Sequence, residues 1–556
     1  MTAIHPALLA RNTSKLRNSL RPVALAAMNG SSKDVAKLQT LVRNLPHDEA
    51  IGLLPVFYAN LDPSSIPSLD VLDNIADTST HFPCIENAST TLHALSANSV
   101  VRNPLFPLAS APDLWPRIWK WMEFLELYYD SVPARTISEV MSMRVAQSQI
   151  LLKFAEHPQT CTEMFVTKGV RRILAAAWMT MVHHMYAADE PATLGVTALP
   201  LLALSDMKDL QSLDEVADGC GGSYDALVFT LTKNISQAVA NSKSQMAVTS
   251  IAPVLLFLRD TFNISPDFVA FLLSHGIVSS LVSALDIDGL QPSTEGVPPQ
   301  SVQVLCLDTL IQYLNVSPGY PWTVQALQAG LLRRIITFSG NVVTASDARK
   351  HSELLLTVLP RTMVFYPVIV EMKKSFSHLE TLSRSEQFSR SVLHGPWNIL
   401  KALVDARAKV LSTWEASGRA SSLACYNLKL TKRNFSDVVR TAAYCSRECQ
   451  RADWLDGHRD ECGILLTAHL TYAEVGLPYR EKCFIRALLH SDYQRLRLEI
   501  SMRMLHFMTE HPREYFFVAF DYTVATGVQC LVLPATELGE KGRFRIGGAS
   551  RGLMAV

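Results

Sequence analysis

The feature that most constrains how this chain folds is a run of cysteine and histidine residues near its C-terminal end. It reads Cys445-x3-Cys449-x8-His458-x3-Cys462. Thiolate and imidazole groups are ligands that Zn²⁺ prefers, and a tetrahedral structural site needs four of them. Residues that lie four apart share one face of a helix, so each pair can act as a two-ligand unit. Four of the ten cysteines fall between Cys425 and Cys462. The spacing predicts a small metal-binding module.

This segment resembles the C-terminal half of a MYND-type zinc finger. The residues that carry the resemblance are Tyr444, Cys445, Cys449, Gln450, Trp454, His458 and Cys462. MYND fingers hold two zinc ions through interleaved pairs of ligands. The resemblance therefore implies that Cys445 and Cys449 belong to one ion, and that His458 and Cys462 belong to the other.

The sequence departs from the family in the first two ligand pairs, which are normally Cys-x2-Cys motifs. By spacing, the first pair falls at Cys425 and Leu428, and the second falls near Ser436 and Val439. Only Cys425 has a side chain that binds zinc. The resemblance thus leaves three thiolates for the first ion and two ligands for the second.

Three arrangements remain open for the metal. One zinc ion sits on Cys425, Cys445 and Cys449 with a fourth ligand from water or elsewhere. Alternatively, one ion sits on a rearranged set of Cys445, Cys449, His458 and Cys462, or the finger holds no metal and is stabilised by packing. The ligand count favours one ion over two. Structural zinc contributes about 10–16 kcal/mol of apparent binding free energy in finger peptides, so the choice decides how the module is stabilised.

The resemblance also implies protein or peptide partners. In MYND fingers a Gln and a Trp four residues apart on a short helix help to hold extended proline-containing peptides, and Gln450 and Trp454 match them. An exposed Trp offers a large apolar surface and one hydrogen-bond donor, which suits an anchor for a partner. The alternative is that Trp454 is buried as the core of the finger itself.

Charge argues against a nucleic-acid partner. The chain has 51 basic and 51 acidic residues, and residues 425–462 contain seven basic and six acidic ones. Proteins that bind nucleic acid usually show a basic excess, because affinity comes largely from contacts with phosphate.

Hydropathy predicts no membrane association and an intracellular protein, cytoplasmic or nuclear, since no run reaches 18 apolar residues and no signal peptide is recognised. The first 33 residues carry five basic residues and no acidic one, which is typical of a mitochondrial transit peptide. A first helix over Lys15–Met28, ended at Asn29-Gly30, is the alternative that we favour. In a reducing compartment the remaining cysteines are expected to be buried thiols rather than disulfides. They are Cys84, Cys161, Cys220, Cys306, Cys483 and Cys530.

Residues 1–410 have the three- and four-residue apolar spacing of successive helices. Three segments centred on Gly169, Gly276 and Gly330 share one pattern, in which we expect a left-handed glycine to end one helix just before the next begins. This junction resembles one in armadillo repeats, although the glycine spacing does not fit a single period of about 40–47 residues. The fold class expected is mainly α, an irregular armadillo-like α-solenoid, and an unrelated helical bundle is the alternative. Trp115 and Trp119 share a helix face and are expected to be core.

The remaining chain predicts a small α+β tail. Helical spacing covers Lys482–Thr509, and the runs Tyr515–Thr523 and Val528–Leu533 are typical of strands, with Gly527 between them. Arg543–Ile546 is a candidate third strand. The domains expected are therefore a helical region over 1–410, a MYND-like finger over 420–462 and an α+β region over 463–556. This layout is similar to that of fungal MYND-finger proteins.

Catalytic motifs are not found in the sequence. It has no Gly-x-Ser-x-Gly elbow, Walker loop or His-Glu-x-x-His motif. Some MYND proteins are SET-type methyltransferases, but the Asn-His-Ser motif of that fold is not found here either. We therefore expect a non-enzymatic zinc-binding adaptor or scaffold. The alternatives are a transcriptional or chromatin-associated regulator that recruits partners through the finger, and an enzyme with an unrecognised site.

Overall fold

Helices make up most of the described chain, as the apolar spacing predicts. The chain groups into two compact units, Met1–His275 and Gly276–Val556, so the predicted helical region 1–410 extends over both. The structure, a computed structural model, describes residues 4–68, 83–131, 136–184, 209–242, 245–287, 302–317, 319–338, 345–416, 437–439, 442–444, 447–448, 451, 455, 478–514, 516–524, 527–534 and 553–555.

The first unit is helical throughout its described residues. Short 3-10 turns occur at Pro6–Leu8, Ala10–Lys15, Pro63–Ser65 and Leu108–Ser110. The α-helices are α1 (Arg21–Met28), α2 (Ser32–Val42), α3 (His47–Ile51), α4 (Leu54–Asn60), α5 (Pro83–Leu95), α6 (Asn98–Val101), α7 (Ala111–Ser131), α8 (Ile137–Ala155), α9 (Pro158–Val166), α10 (Val170–His184), α11 (Leu210–Gly219), α12 (Tyr224–Ala240), α13 (Gln245–Thr261) and α14 (Pro266–Ser274).

The core of this unit includes the aromatic face of α7, as predicted. Trp115 and Trp119 are buried, and their rings stack with centroids 5.7 Å apart. Helices α10 and α11 approach closely at Gly219, where a Cβ atom would lie 2.2 Å from the carbonyl oxygen of Arg172. The absence of a side chain at Gly219 is what permits this approach.

The second unit continues with helices and adds two small sheets. Its helices are α15 (Ile277–Ala284), α16 (Val302–Leu314), α17 (Tyr320–Gln328), α18 (Leu331–Phe338), α19 (Ala345–Glu353), α20 (Leu359–Thr362), α21 (Tyr366–Ser383), α22 (Glu386–Ser389), α23 (His394–Ala416) and α24 (Tyr479–Glu510). A π-helical segment, Leu354–Val358, separates α19 from α20.

The glycine junctions are confirmed. Gly169, Gly276 and Gly330 have φ values of +92°, +82° and +88°, and each directly precedes a new helix, α10, α15 and α18 respectively. Only glycine adopts this left-handed conformation without a steric cost, so the local pattern was sufficient to predict it. The junctions establish neighbouring helix pairs, and the fold is mainly α.

The predicted first helix is wrong at its start and right at its end. Residues 10–15 form a 3-10 turn, and α1 begins at Arg21 rather than at Lys15. Pro22 lies in the first turn of α1; a proline further inside a helix would clash with the preceding turn and lack its N–H donor. Asn29 caps the C-terminus and Gly30 has a φ of +90°, as expected.

The tail has the predicted helix and hairpin. Helix α24 is a single helix, and β3 (Phe516–Asp521) pairs antiparallel with β4 (Gln529–Pro534). The strand that completes this sheet is β5 (Leu553–Ala555), which pairs antiparallel with β3 and gives the order β4-β3-β5. The candidate strand at 543–546 lies outside the described residues.

Most of the cysteines outside the finger segment are buried, as predicted. Cys220, Cys306, Cys483 and Cys530 are buried free thiols, whereas Cys84 and Cys161 are half-buried. Burial raises the pKa of the Cys220 thiol to about 12, so it stays protonated at neutral pH.

Among the residues described, no single helix is both long enough and apolar enough to cross a membrane, and α14 and α15 pass that test only when counted together.

Candidate metal centre

The segment that contains the zinc-finger motif is an insertion between two helices that pack against each other, α23 and α24. Near the end of α23, the ring of Trp414 lies 5.7 Å from that of Phe484 at the start of α24. One residue further along, Oε1 of Glu415 lies 4.0 Å from Nη2 of Arg480. The end of α23 at residue 416 and the start of α24 at residue 479 therefore lie at neighbouring points.

A third helix joins both ends of this insertion through Tyr366, the first residue of α21. Its hydroxyl donates to Oε1 of Glu415 at 3.0 Å, and the Arg480 guanidinium lies 3.6 Å from its ring centroid and bonds its hydroxyl. The ring also packs edge-on against Trp414 and Phe484. We call these five residues, Tyr366, Trp414, Glu415, Arg480 and Phe484, the neck cluster.

Glu481 extends the neck cluster into the protein interior. Its buried carboxylate accepts the backbone N–H of Tyr366 at 2.8 Å, at the N-terminus of α21, where the helix dipole favours negative charge. Burial raises the pKa of Glu481 above its ordinary value, while the Tyr366 N–H bond and the nearby Arg480 act in the opposite direction. The carboxylate therefore links α24 to α21, although its removal from water has an unfavourable free energy.

A buried ion pair fixes the same two helices closer to the tail. Arg407 Nη1 of α23 donates to Asp492 Oδ2 of α24 at 2.6 Å, and both side chains are less than one-tenth exposed. Arg407 Nη2 donates to the Gly527 carbonyl oxygen at 2.9 Å, and the Tyr522 hydroxyl donates to Asp492 Oδ2 at 3.0 Å. Desolvation is the main cause that raises the Tyr522 pKa, so its hydroxyl remains a donor. This network of Arg407, Asp492 and Tyr522 holds α23, α24 and the β3–β4 hairpin together.

Within the insertion, the described residues form a short hairpin. Strand β1 (Asp437–Val439) pairs antiparallel with β2 (Ala442–Tyr444), and Val439 lies opposite Ala442. Strand β2 ends immediately before Cys445, so the hairpin leads directly into the ligand motif. Beyond it, Arg447, Glu448 and Leu455 are exposed, and Leu455 is 78% exposed.

The side chains predicted to bind zinc or peptide lie outside the described residues. They are Cys425, Cys445, Cys449, His458 and Cys462 for the metal, and Gln450 and Trp454 for the peptide. Their roles therefore stay predictions. Within the described ranges, no three His, Cys, Asp or Glu side chains are grouped so that they could hold a metal.

The donor set of the motif is chemically suited to zinc, since it offers three thiolates and one imidazole between Cys445 and Cys462. Residues 440–462 match the MYND finger family. Because of this match, the chain carries a zinc finger of the MYND type. MYND fingers are zinc-binding modules that mediate protein–protein contacts. The match includes both ligand pairs of the motif, Cys445 with Cys449 and His458 with Cys462, and does not extend to Cys425. The comparisons with curated proteins and with solved structures gave no match. The similarity to fungal MYND-finger proteins stays a prediction.

Sequence reasoning missed the residues that hold α23 and α24 together, although the sequence around one of them indicates a buried contact. The buried face of α23 is apolar at three- and four-residue spacing, and Arg407 interrupts it between Val404 and Leu411. A single charged residue on an apolar helix face requires a buried partner. The sequence offers no means of identifying that partner, because Asp492 lies 85 residues away.

Proposed function

We propose that this protein is a non-enzymatic adaptor, in which a zinc-binding MYND finger contacts protein or peptide partners and is presented by a helical scaffold. The observation that carries the proposal is the MYND match at residues 440–462 inside an insertion whose two ends are held together. The finger supplies the contact, and the scaffold supplies a fixed position for it.

The neck cluster gives this presentation a physical basis. A loop whose ends are already close loses less conformational entropy when it folds around a metal or binds a partner. The contacts between Trp414 and Phe484 and between Glu415 and Arg480 join those ends through residues of α23 and α24 themselves. The finger can therefore order its own residues around zinc while α23 and α24 keep their packing.

We propose one zinc ion per chain. Three thiolates remain for the first family site, whereas only His458 and Cys462 remain for the second. Elemental analysis of the purified protein, with Cys445→Ser and His458→Ala variants, separates the arrangements. Loss of zinc in Cys445→Ser alone supports the site on Cys425, Cys445 and Cys449, and loss in both variants supports the rearranged site.

The control for this measurement is Cys161→Ser, which changes a half-buried cysteine outside the ligand motif and should retain the metal. Zinc-free wild-type protein, purified with zinc supplied throughout, would refute the metal-binding part of the proposal.

The partner surface proposed on the finger is formed by Gln450 and Trp454, and extended proline-containing peptides are the ligands proposed. Partners recovered with tagged full-length protein should be lost with Trp454→Ala. They should be retained with Val166→Ala, which shortens a side chain that is 79% exposed in the first unit. If the Trp454→Ala variant retained every partner, the finger would not be the surface that binds them.

The helical regions are proposed as the scaffold, with an irregular armadillo-like arrangement. The left-handed junctions at Gly169, Gly276 and Gly330 support this, since they produce adjacent helices of the kind found in such repeats. We propose an intracellular location, cytoplasmic or nuclear, where cysteines such as Cys220 and Cys306 remain reduced.

A further inference from the structure

Helix α24 presents apolar side chains on two opposite faces. Ile500 and Phe507 are buried, and Phe507 packs against Phe516 of β3 with ring centroids 5.5 Å apart. Large apolar side chains on the other face are exposed: Leu498 by 78%, Met502 by 62%, Leu505 by 61% and Met508 by 52%. Since these four lie three or four residues apart, they form one continuous stripe, which we call the α24 stripe.

A stripe of this kind differs from scattered surface leucines. Soluble proteins rarely leave several adjacent large apolar side chains in water, and a contiguous apolar patch marks an interaction surface. The spacing of four and then three residues, from Leu498 to Met502 to Leu505, is the spacing at which helices pack along a shared seam. The face is therefore shaped to receive another helix.

The charges beside the stripe identify that helix as a second copy of α24. Arg495, Glu499, Arg503 and Glu510 lie along one flank at intervals of four, four and seven residues, and their signs alternate throughout. All four are 42–58% exposed at the side chain. Arg503 and Glu499 already bond each other at 2.8 Å within one helix, which holds both at the edge of the stripe.

We propose that the chain forms a homodimer in which two α24 stripes pack antiparallel about a twofold axis near Met502. In this arrangement Leu498 faces Leu505 of the second copy, and Met502 lies close to its own counterpart. Twofold symmetry brings the charged flank of one copy against the same flank of the other. Glu499 then comes within side-chain reach of Arg503 of the second copy, and Arg495 comes within reach of its Glu510.

Each of these contacts occurs twice, so the interface has four opposite-charge contacts around an apolar centre. Parallel packing would instead place the charged flank against the other side of the stripe, where Arg497 could pair with Glu499 but no acidic group is offered to Arg495 and Arg503. The charge pattern thus selects the antiparallel arrangement.

The size of the stripe sets the expected affinity. A standard stable interface buries about 800 Å² on each partner, and one short helical stripe of four apolar side chains offers less than that. We therefore expect a weak dimer with a dissociation constant of roughly micromolar order.

The test is sedimentation velocity of the full-length protein over a concentration series that spans the micromolar range. Wild type should shift from monomer to dimer, and Met502→Glu should weaken the dimer by at least about tenfold, since it places two like charges at the axis. Val392→Glu is the matched control, because it adds the same charge to another exposed side chain in the second unit and should leave the dimer unchanged.

The most specific test combines two variants whose charges at the interface are reversed. Glu499→Arg places arginine against arginine in a homodimer, and Arg503→Glu places glutamate against glutamate, so each variant alone should be monomeric. In a one-to-one mixture every flank contact becomes opposite in sign, so the mixture should dimerise. No effect confined to a single chain explains that recovery.

A wild-type protein that stays monomeric throughout the series would overturn the proposal, as would a dimer that tolerates Met502→Glu. A mixture of the two charge variants that remains monomeric would reject the antiparallel register. Zinc content and partner capture by the finger are separate measurements, so failure here leaves the proposed function standing.

Discussion

The contact whose loss should most damage the second unit is the buried ion pair between Arg407 and Asp492. Replacing Arg407 with Met keeps a long apolar stem but removes the guanidinium. Asp492 would keep the Tyr522 hydroxyl at 3.0 Å and Arg495 at 3.0 Å, whereas the Gly527 carbonyl would lose its side-chain donor. Removing one partner of a buried pair typically costs about 3–5 kcal/mol, because the other charge stays buried.

The remaining contacts of Asp492 place the expected cost toward the lower end of that range. Arg495 is 58% exposed, so water screens its contact with Asp492. We therefore expect Arg407→Met to lower the free energy of unfolding of the second unit by about 3 kcal/mol. The measurement is urea unfolding followed by tryptophan fluorescence, with hydrogen exchange of α23 and α24 to assign the transition to this unit.

Two comparisons make this result specific. Arg390→Met removes a pair with Glu386 in which both side chains are 78% exposed, and an exposed helical pair of this spacing contributes at most about 0.5 kcal/mol. Adding Asp492→Asn to Arg407→Met removes the orphaned charge and should recover part of the loss, so the two changes should not be additive. An Arg407→Met cost equal to that of Arg390→Met, or strict additivity in the double variant, would refute the reasoning.

Three further predictions concern other parts of the structure. Gly219→Ala should destabilise the first unit by about 3 kcal/mol because its Cβ would overlap the backbone of α10, whereas Gly395→Ala, with no atom within 4 Å, should not; thermal unfolding of both variants checks this. The Glu481 pKa is raised in the folded state, so its contribution to stability is present below its unfolded pKa and is lost as pH rises through the folded one. Glu481→Gln should therefore gain stability relative to wild type as the pH rises above about 4, the unfolded value, and urea unfolding over a pH series would expose an opposite slope. Removal of zinc by a chelator should leave the far-ultraviolet helical signal intact, because both units have apolar cores of their own; a large loss of helix would contradict this.

Local features of the fold were predictable from the sequence because they depend on neighbouring residues. The left-handed conformations at Gly169, Gly276 and Gly330 follow from a pattern of ten residues, and the buried face of Trp115 and Trp119 follows from helical spacing. The β3–β4 hairpin follows in the same way from two runs of strand-forming residues around Gly527, whose φ is +108°. The predicted start of α1 was wrong because apolar residues keep helical spacing on the N-terminal side of Pro22, whereas the helix itself begins only one residue before that proline.

The same distinction between local and long-range features applies to the candidate site. The motif from Cys445 to Cys462 was recognisable because metal ligands must be of a few residue types at short intervals, and the MYND match covers it. The contacts that hold the helices on either side of it in place could not be predicted in this way. Tyr366 and Glu481 are 115 residues apart, and Arg407 and Gly527 are 120 apart.

The mainly helical character of the chain, the glycine junctions between successive helices and the MYND-type zinc finger all follow from the sequence alone. These are properties of short segments, set by side-chain spacing, backbone sterics and ligand chemistry. Two features are visible in the tertiary structure alone: the finger segment lies in the chain between two helices that pack together, α23 and α24, and one face of α24 is buried while the opposite face is exposed. Those outcomes depend on contacts between distant residues, which form only when the whole second unit has packed.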